Sequence, residues 1–443
     1  MDRQCKAIID YSCEIGGKIG DDIREAIKKR IADILFVSFS AMESEPVKIA
    51  RKSLLPSSGK LNSTVWFTGE KAAVDVASFI NGIMTRYLDY NDTYLSKEAM
   101  HPSDNIPPLI SAAEALDLKG NDVMDAIGQA YATACAFSDA FCIRDRGWDH
   151  VTYISISSAA GLGKLLSLDE EKYENLISLS INNSISMRQT RAGNLSMWKG
   201  ATAADACRNS VFAMLLARNG FTGPSPIFSG EMGFFKQVTG NIDVKPDVNL
   251  ILKTHIKNYP VEYHAMSAAE AALDLRSRIK GKIRDVKVET FTVGYNIIVK
   301  DPEKWAPQNK ETADHSLPYI VCYSLIYGTP SPDSYSKQYL KDASIADLMK
   351  RTEITVTDKY DRMYPEKLPA KVRVTTDQGT FEKEVIIPRG HSLNPFSWED
   401  LREKGARTVG PDATDEIIKF VRDFEKRDIK EFVEVTKNVN SKR

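Results

Sequence analysis

KAAVDVASFINGIMTRYL, residues 71–88, is apolar around most of the circumference it presents as a helix. A helix without a wide polar face belongs inside a bundle or an interface. N-terminal to it, Asp21 to Ser38 places Ile23, Ala26, Ile27, Ile31, Ile34, Leu35 and Val37 on one stripe at three- and four-residue spacings, which predicts an amphipathic helix. Helices rich in Ala, Ser and Gly are predicted at 122–141, 155–166 and 201–217, where small side chains let neighbours approach closely. After about residue 280 the texture changes. RDVKVETFTV (284–293) sets Val286, Val288 and Val293 against polar neighbours with the period of a half-buried strand. EITVTD (353–358) and KVRVTTDQGTFEKEVII (371–387) continue the pattern, the second broken at Asp377, Gln378 and Gly379 as a hairpin turn requires. Helices are expected between these strands at 313–327 and 336–351, and helical periodicity returns over 398–432.

The expected fold class is therefore mainly α with an α+β second domain. Residues 1–265 and 396–443 are read as one all-helical domain and 266–395 as a smaller α+β lid domain. The chain of 443 residues is long enough to bury a large core, and no tract separates independent domains. Its 59 Lys and Arg balance 60 Asp and Glu, a net charge of −1 that offers no basic excess to a phosphate backbone, so no nucleic-acid partner is expected. The 6 cysteines show no CxxC and no histidine at metal spacing, which fits reduced thiols and argues against a zinc or iron–sulfur site. No eighteen-residue apolar run occurs, and the first residues lack a signal-peptide core. A soluble, cytoplasmic protein without a membrane partner is expected.

The segment that follows the buried helix, DYNDTYLSKEAMHPSDN (89–105), concentrates Asp89, Asp92, Thr93, Lys97, Glu98, His101, Asp104 and Asn105, and Pro107 and Pro108 are expected to bar its continuation into a helix. Such density in a loop on a rigid scaffold suits binding and acid–base work. Asp92, Ser103 and Asp104 could equally cap helix N-termini, a role that fits Asp104 best, while chemistry fits His101 best. Asp89, Asp92, His101 and Asp104 could also be weighed as metal ligands, but their spacing matches no metal motif and no metal is expected. Of 6 histidines, His101, His150, His264 and His315 lie in short polar segments unlike core. Arg188, Arg191, Lys199 and Lys257 stand beside Gly, Trp, Tyr or Pro rather than on polar helix faces, a setting suited to carboxylate recognition. A small polyanionic substrate is implied. No GxGxxG, P-loop or GxSxG occurs, so neither a nucleotide site nor a serine nucleophile elbow is expected.

Five ordered blocks resemble the MmgE/PrpD family: RYLDYNDTYLSKEAMHPSDN (86–105), RGWDHVTY (146–153), SMWKGATAADA (196–206), KNYPVEYHAMSAAEAAL (257–273) and ADHSLPYIV (313–321). The resemblance implies a helical domain built from both chain ends, a smaller α+β lid, a homodimer, and no metal or organic cofactor. It further implies a lyase acting on a tricarboxylate, with dehydration of 2-methylcitrate in propionate catabolism as the leading expectation. In the family's decarboxylating branch, acting on cis-aconitate, pocket residues correspond to Asp89, Thr93, His101, His150, Lys257 and Tyr319, all matched in type. That branch has a histidine where this chain has Glu262, with His264 two residues on. PVEYH and the MWKG setting of Lys199 favour the dehydrating branch.

Removing a proton alpha to a carboxylate and expelling the neighbouring hydroxyl require a base and an acid. His101 and His150 are the expected pair, with Asp89 orienting or reacting and Tyr319 as a further catalytic group. Thr93, Arg191, Lys199, Lys257 and His264 are expected to bind the substrate, and His315 to orient its loop. A decarboxylase, an epimerase, a citrate dehydratase and a noncatalytic helical interaction protein are the competing readings.

Overall fold

The computed structural model describes residues 1–193 and 195–441. They divide into two compact units, one formed by 1–193, 197–256 and 397–441, the other by 195–196 and 257–396.

The first unit is a helical bundle. The Asp21–Ala41 helix buries most of its length, including Ile27, Ile31, Leu35 and Phe36, and packs against the helices Val74–Arg86 and Trp398–Val409. The expected helix at 71–88 starts later than its composition suggested. Lys71–Ala73 is strand β2, paired antiparallel with β1 (Asn62–Thr64), and the helix runs Val74–Arg86. Gly82 explains how this helix packs. A Cβ there would lie 2.7 Å from the Cβ and 3.0 Å from the Cα of Ala204, so only glycine lets it touch the Thr202–Ala217 helix at that depth. The helices Gly120–Ala140 and Val151–Leu165 lie against each other, with Gly161 set closely against Ala126 and Ala130.

The prolines after the polar loop do the opposite of what was expected. A helix runs from Ile106 to Leu116, Asn105 at its N-cap position making no side-chain cap, with Pro107 and Pro108 in its first turn. There the missing proline N–H forfeits nothing, because first-turn donors have no partner within the helix.

The second unit carries a four-stranded sheet of order β4-β3-β5-β6: β3 (Ile283–Thr290), β4 (Thr352–Val356), β5 (Ala370–Thr376) and β6 (Gly379–Val385). β3 runs parallel to β4 and antiparallel to β5, with Val286 opposite Val374 and Val288 opposite Val372, all four buried. Asp377 and Gln378 form the β5–β6 turn. The helices Met266–Arg278 and Leu317–Tyr327 pack together, the first also against β5 and β6. Val293, expected in the strand, belongs to a short helix, Thr292–Ile298, because Asp361 accepts the Thr292 N–H and hydroxyl at 2.6 and 2.8 Å and turns the chain. The predicted 313–327 helix is split at Asp314–Ser316, and the 336–351 helix at Lys341–Asp342. No helix among the described residues is long and apolar enough to cross a membrane.

Candidate active site

Arg86 ends the Val74–Arg86 helix and, although cationic, is buried. The chain then turns sharply. Asp89 donates its N–H to the Arg86 carbonyl at 3.0 Å and takes a left-handed φ of 51°, a conformation that costs most residues about 1–2 kcal/mol. The turn aims its carboxylate back at Arg86, with Nη1 2.5 Å from Oδ1. Lys199 Nζ lies 3.6 Å from the other oxygen, Oδ2. Lys199 reaches this depth because the next residue is Gly200, whose Cβ position is 3.0 Å from the Cα of Tyr87.

The remainder of the loop is pinned by its own polar groups. Asp92 accepts the Ser103 N–H at 3.0 Å and the Tyr131 hydroxyl at 2.7 Å. It therefore caps the short 3-10 turn Pro102–Asn105 from across the loop, whereas His101, at the N-cap position itself, supplies no cap. Thr93 bridges to His255 through both backbone groups and donates its hydroxyl to the Met100 carbonyl at 3.1 Å. The expectation that Asp104 caps a helix is not met. Its Oδ1 accepts from the Asn91 amide at 3.0 Å, and its Oδ2 is buried with no hydrogen-bond partner among the described residues. Burial, reinforced by the like charge of Asp92 against the pull of Arg86 and Arg191, pushes its carboxyl up to about 7.

His101 Nδ1 lies 2.7 Å from the Asp92 carbonyl, and Nε2 lies 2.9 Å from Arg86 Nη2. A carbonyl only accepts and a guanidinium only donates, so these contacts select the neutral tautomer protonated on Nδ1. Asp89 Oδ1 stands 3.8 Å from the same Nε2.

The second histidine is built differently. His150 occupies the N-cap position of the Val151–Leu165 helix, and Asp149 precedes it. Asp149 Oδ1 lies 2.9 Å from His150 Nδ1, and Arg191 Nε sits 2.9 Å from Asp149 Oδ2. Burial alone would raise Asp149, but Arg191 and His150 together outweigh it and hold the carboxyl well below its usual range. A charged Asp149 places the imidazole proton on Nδ1 and leaves the lone pair on Nε2. That Nε2 is buried and has no hydrogen-bond partner among the described residues. Burial, with Arg191 and Arg86 adding to it and Asp149 opposing, lowers His150 to about 4. The positive end of the helix dipole works in the same direction. The rings of His101 and His150 meet edge to face with centroids 5.7 Å apart.

The first unit thus brings together Asp89, His101, His150, Arg191 and Lys199, with Thr93 on the same loop. Arg86 and Asp149 complete the arrangement and were missed by sequence reasoning. Arg86 reads as an ordinary last-turn cation, and Asp149 as a helix-start acid. The signal available for Asp149 was its place directly before a histidine at a helix N-terminus.

The remaining candidates belong to the second unit. His264 Nδ1 and backbone N–H each lie 2.8 Å from the Glu262 carboxylate, and Nε2 faces the Tyr364 hydroxyl at 3.2 Å. Burial pushes Glu262 up, yet His264, His315 and Lys257 hold it down to about 2. Lys257 is buried with Nζ 3.3 Å from the Val261 carbonyl. His315 Nδ1 meets Asp314 at 2.6 Å, just before the helix that carries Tyr319. The Tyr319 hydroxyl donates to the Ser334 carbonyl at 2.6 Å.

Comparison with known proteins bears on both units. A 2-methylcitrate dehydratase of Escherichia coli (strain K12) is 27% identical over 431 residues, covering 88% of this chain and 86% of that protein. A mitochondrial 2-methylcitrate dehydratase of Yarrowia lipolytica is 28% identical over 344 residues, covering 71% of this chain and 66% of that one. The alkylcitrate dehydratase phiI of a fungal species is 26% identical over 367 residues, covering 75% and 72%. The MmgE/PrpD N-terminal domain matches residues 15–247 and the MmgE/PrpD C-terminal domain residues 259–425. Both domains, in order and over most of its length, place this chain in the MmgE/PrpD family.

Proposed function

We propose that the chain is a hydro-lyase that dehydrates 2-methylcitrate to 2-methylaconitate in propionate catabolism. The observation that carries this reading is the buried lone pair of His150 Nε2, oriented by the Asp149 contact to Nδ1 and left without a hydrogen-bond partner among the described residues, in the field of Arg191 and Arg86. The names of the dehydratase relatives support the substrate.

In this reading His150 removes the proton alpha to a carboxylate. Asp149 fixes its tautomer and stabilises the imidazolium as it forms, a contribution of about 10²–10⁴ in rate for a placed base. Charge developing on the substrate carboxylate is met by Arg191 and Lys199, fixed cations that need no reorganisation at the moment of reaction. The departing hydroxyl takes its proton on the side of Asp89, His101 and Lys199, where three groups able to carry one lie together. Thr93, Lys257, His264 and Tyr319 are assigned to substrate binding and orientation.

The test is incubation with the 2-methylcitrate stereoisomers and with citrate, followed by product identification. Growth of a conjugated alkene without CO2 is the expected result. Release of CO2 would assign the chain to decarboxylation instead, and turnover of neither substrate would defeat the reading. A substrate at a hundred times its Kd should also add about 2.7 kcal/mol to stability.

The same reading places the enzyme in the cytoplasm as a homodimer. Met187 and Trp198 lie 68% and 47% exposed near the site-bearing residues Arg191 and Lys199, and outward-facing apolar groups of this size suit coverage by a second copy.

A further inference from the structure

Lys404 has no solvent exposure at all, and neither does its partner Asp33. Lys404 Nζ lies 2.5 Å from Asp33 Oδ1. The two come from helices far apart in the chain, Asp21–Ala41 and Trp398–Val409. Gly405 is what seats the lysine so deeply. A Cβ at that position would stand 2.6 Å from the Thr414 methyl and 2.8 Å from the Phe36 ring, so the helix presses onto its neighbours without a side chain between. The ammonium serves a third group. It donates to the Tyr90 carbonyl at 3.0 Å and stands 3.7 Å from the centroid of the Tyr90 ring. Tyr90 directly follows Asp89, the residue held at left-handed φ.

A buried ion pair is a poor device for holding two helices together. Well-packed apolar residues in its place are often neutral or stabilising. What apolar residues cannot do is donate a hydrogen bond to a loop carbonyl. Lysine has three donors and tolerates no burial without acceptors, so an ammonium held by Asp33 fixes the Tyr90 peptide in place and orientation. Fixing that peptide opposes relaxation of the strained turn that aims Asp89 at Arg86 and Lys199.

We propose that the Asp33–Lys404 pair is a positioning device for the reaction, locking the Asp89–Tyr90 turn so that Asp89 holds its place beside His101 and Lys199. This rests on the proposed dehydratase reading for its activity readout alone.

The test is the double variant Asp33→Leu with Lys404→Met, which leaves no buried charge unpaired, alongside Lys404→Met by itself. Three quantities are compared with the wild type: thermal midpoint, kinetics on 2-methylcitrate, and amide exchange of residues 87–105 by mass spectrometry. For the double variant the expectation is an unchanged or raised midpoint, kcat lowered at least tenfold with KM within threefold, and exchange at least tenfold faster in 87–105 but not in the Val151–Leu165 helix. Lys404→Met, which strands the Asp33 charge, should lower the midpoint as well. Unchanged exchange in 87–105, unchanged kcat, or a loss of protection spread over the whole helical unit would each overturn the proposal, the last by showing that the pair serves stability. If the wild type dehydrates no tricarboxylate, the dehydratase reading falls, while the exchange data still decide whether the pair holds the turn.

Discussion

Two histidines whose rings nearly touch are held for different work by what touches their Nδ1 and Nε2. His101 is gripped at both nitrogens, by the Asp92 carbonyl and Arg86, whereas His150 is gripped at one, by Asp149. His150→Gln should therefore lower kcat by about 10²–10⁴, measured on 2-methylcitrate with the thermal midpoint as a control. Asp149→Asn should cost a comparable amount, because an amide can donate to Nδ1 and present the wrong tautomer. Stability carries a signature of the same residue. His150 falls to about 4 in the folded state from its ordinary value of 6.5, so between those values the unfolded chain binds the extra proton. Its contribution is thus complete above 6.5 and lost as pH falls toward 4. His150→Gln should flatten the decline of the unfolding free energy over that window, as denaturant titrations at several pH values would show. Asp104 has the opposite sign. Raised to about 7 by burial, it favours the folded state at low pH and loses that contribution as pH rises through 7. Asp104→Asn should accordingly gain in thermal midpoint relative to the wild type at pH 8 compared with pH 5. The histidines were legible in the sequence because they stand in polar, proline-marked segments. Asp104 was read as a cap because Asp near a helix start usually is one; its carboxyl instead points into the interior, and no local pattern encodes that.

At the scale of elements, small residues decide where the chemistry lies. Gly82 and Gly200 bring the Val74–Arg86 helix and the Lys199 turn together by close backbone approach. Gly82→Ala should destabilise by about 1–3 kcal/mol through overpacking, read by denaturant unfolding. It should also weaken activity beyond that loss, since the helix carries Arg86 one turn later. Periodicity located most of these elements well, including the Asp21–Ala41 helix and the β5–β6 hairpin, because a buried stripe or alternating face is a property of neighbouring residues. It failed where the decision was tertiary. Pro107 and Pro108 look like breakers until the Pro102–Asn105 turn runs straight into them as a first helical turn, and Lys71–Ala73 looks helical until Asn62–Thr64 offers a partner strand.

For the molecule as a whole, the mainly helical architecture with an added α+β unit was readable from the change of texture after about residue 280. The proximity of Asp33, Tyr90 and Lys404 was not, since no local pattern joins such distant positions. Association belongs to this scale too. If a second copy covers Met187 and Trp198, Trp198→Glu should shift the mass measured by light scattering from dimer toward monomer.

Lys404 lies 314 residues beyond the carbonyl it binds, which has a consequence for biogenesis. During synthesis Asp33 must wait in a half-formed interior until the Trp398–Val409 helix, far downstream, has left the ribosome. The helical unit cannot close by vectorial folding from its N-terminus. Nascent chains stalled before the Trp398–Val409 helix should therefore remain protease-sensitive and dependent on chaperones, and competence for turnover should arrive late and in one step.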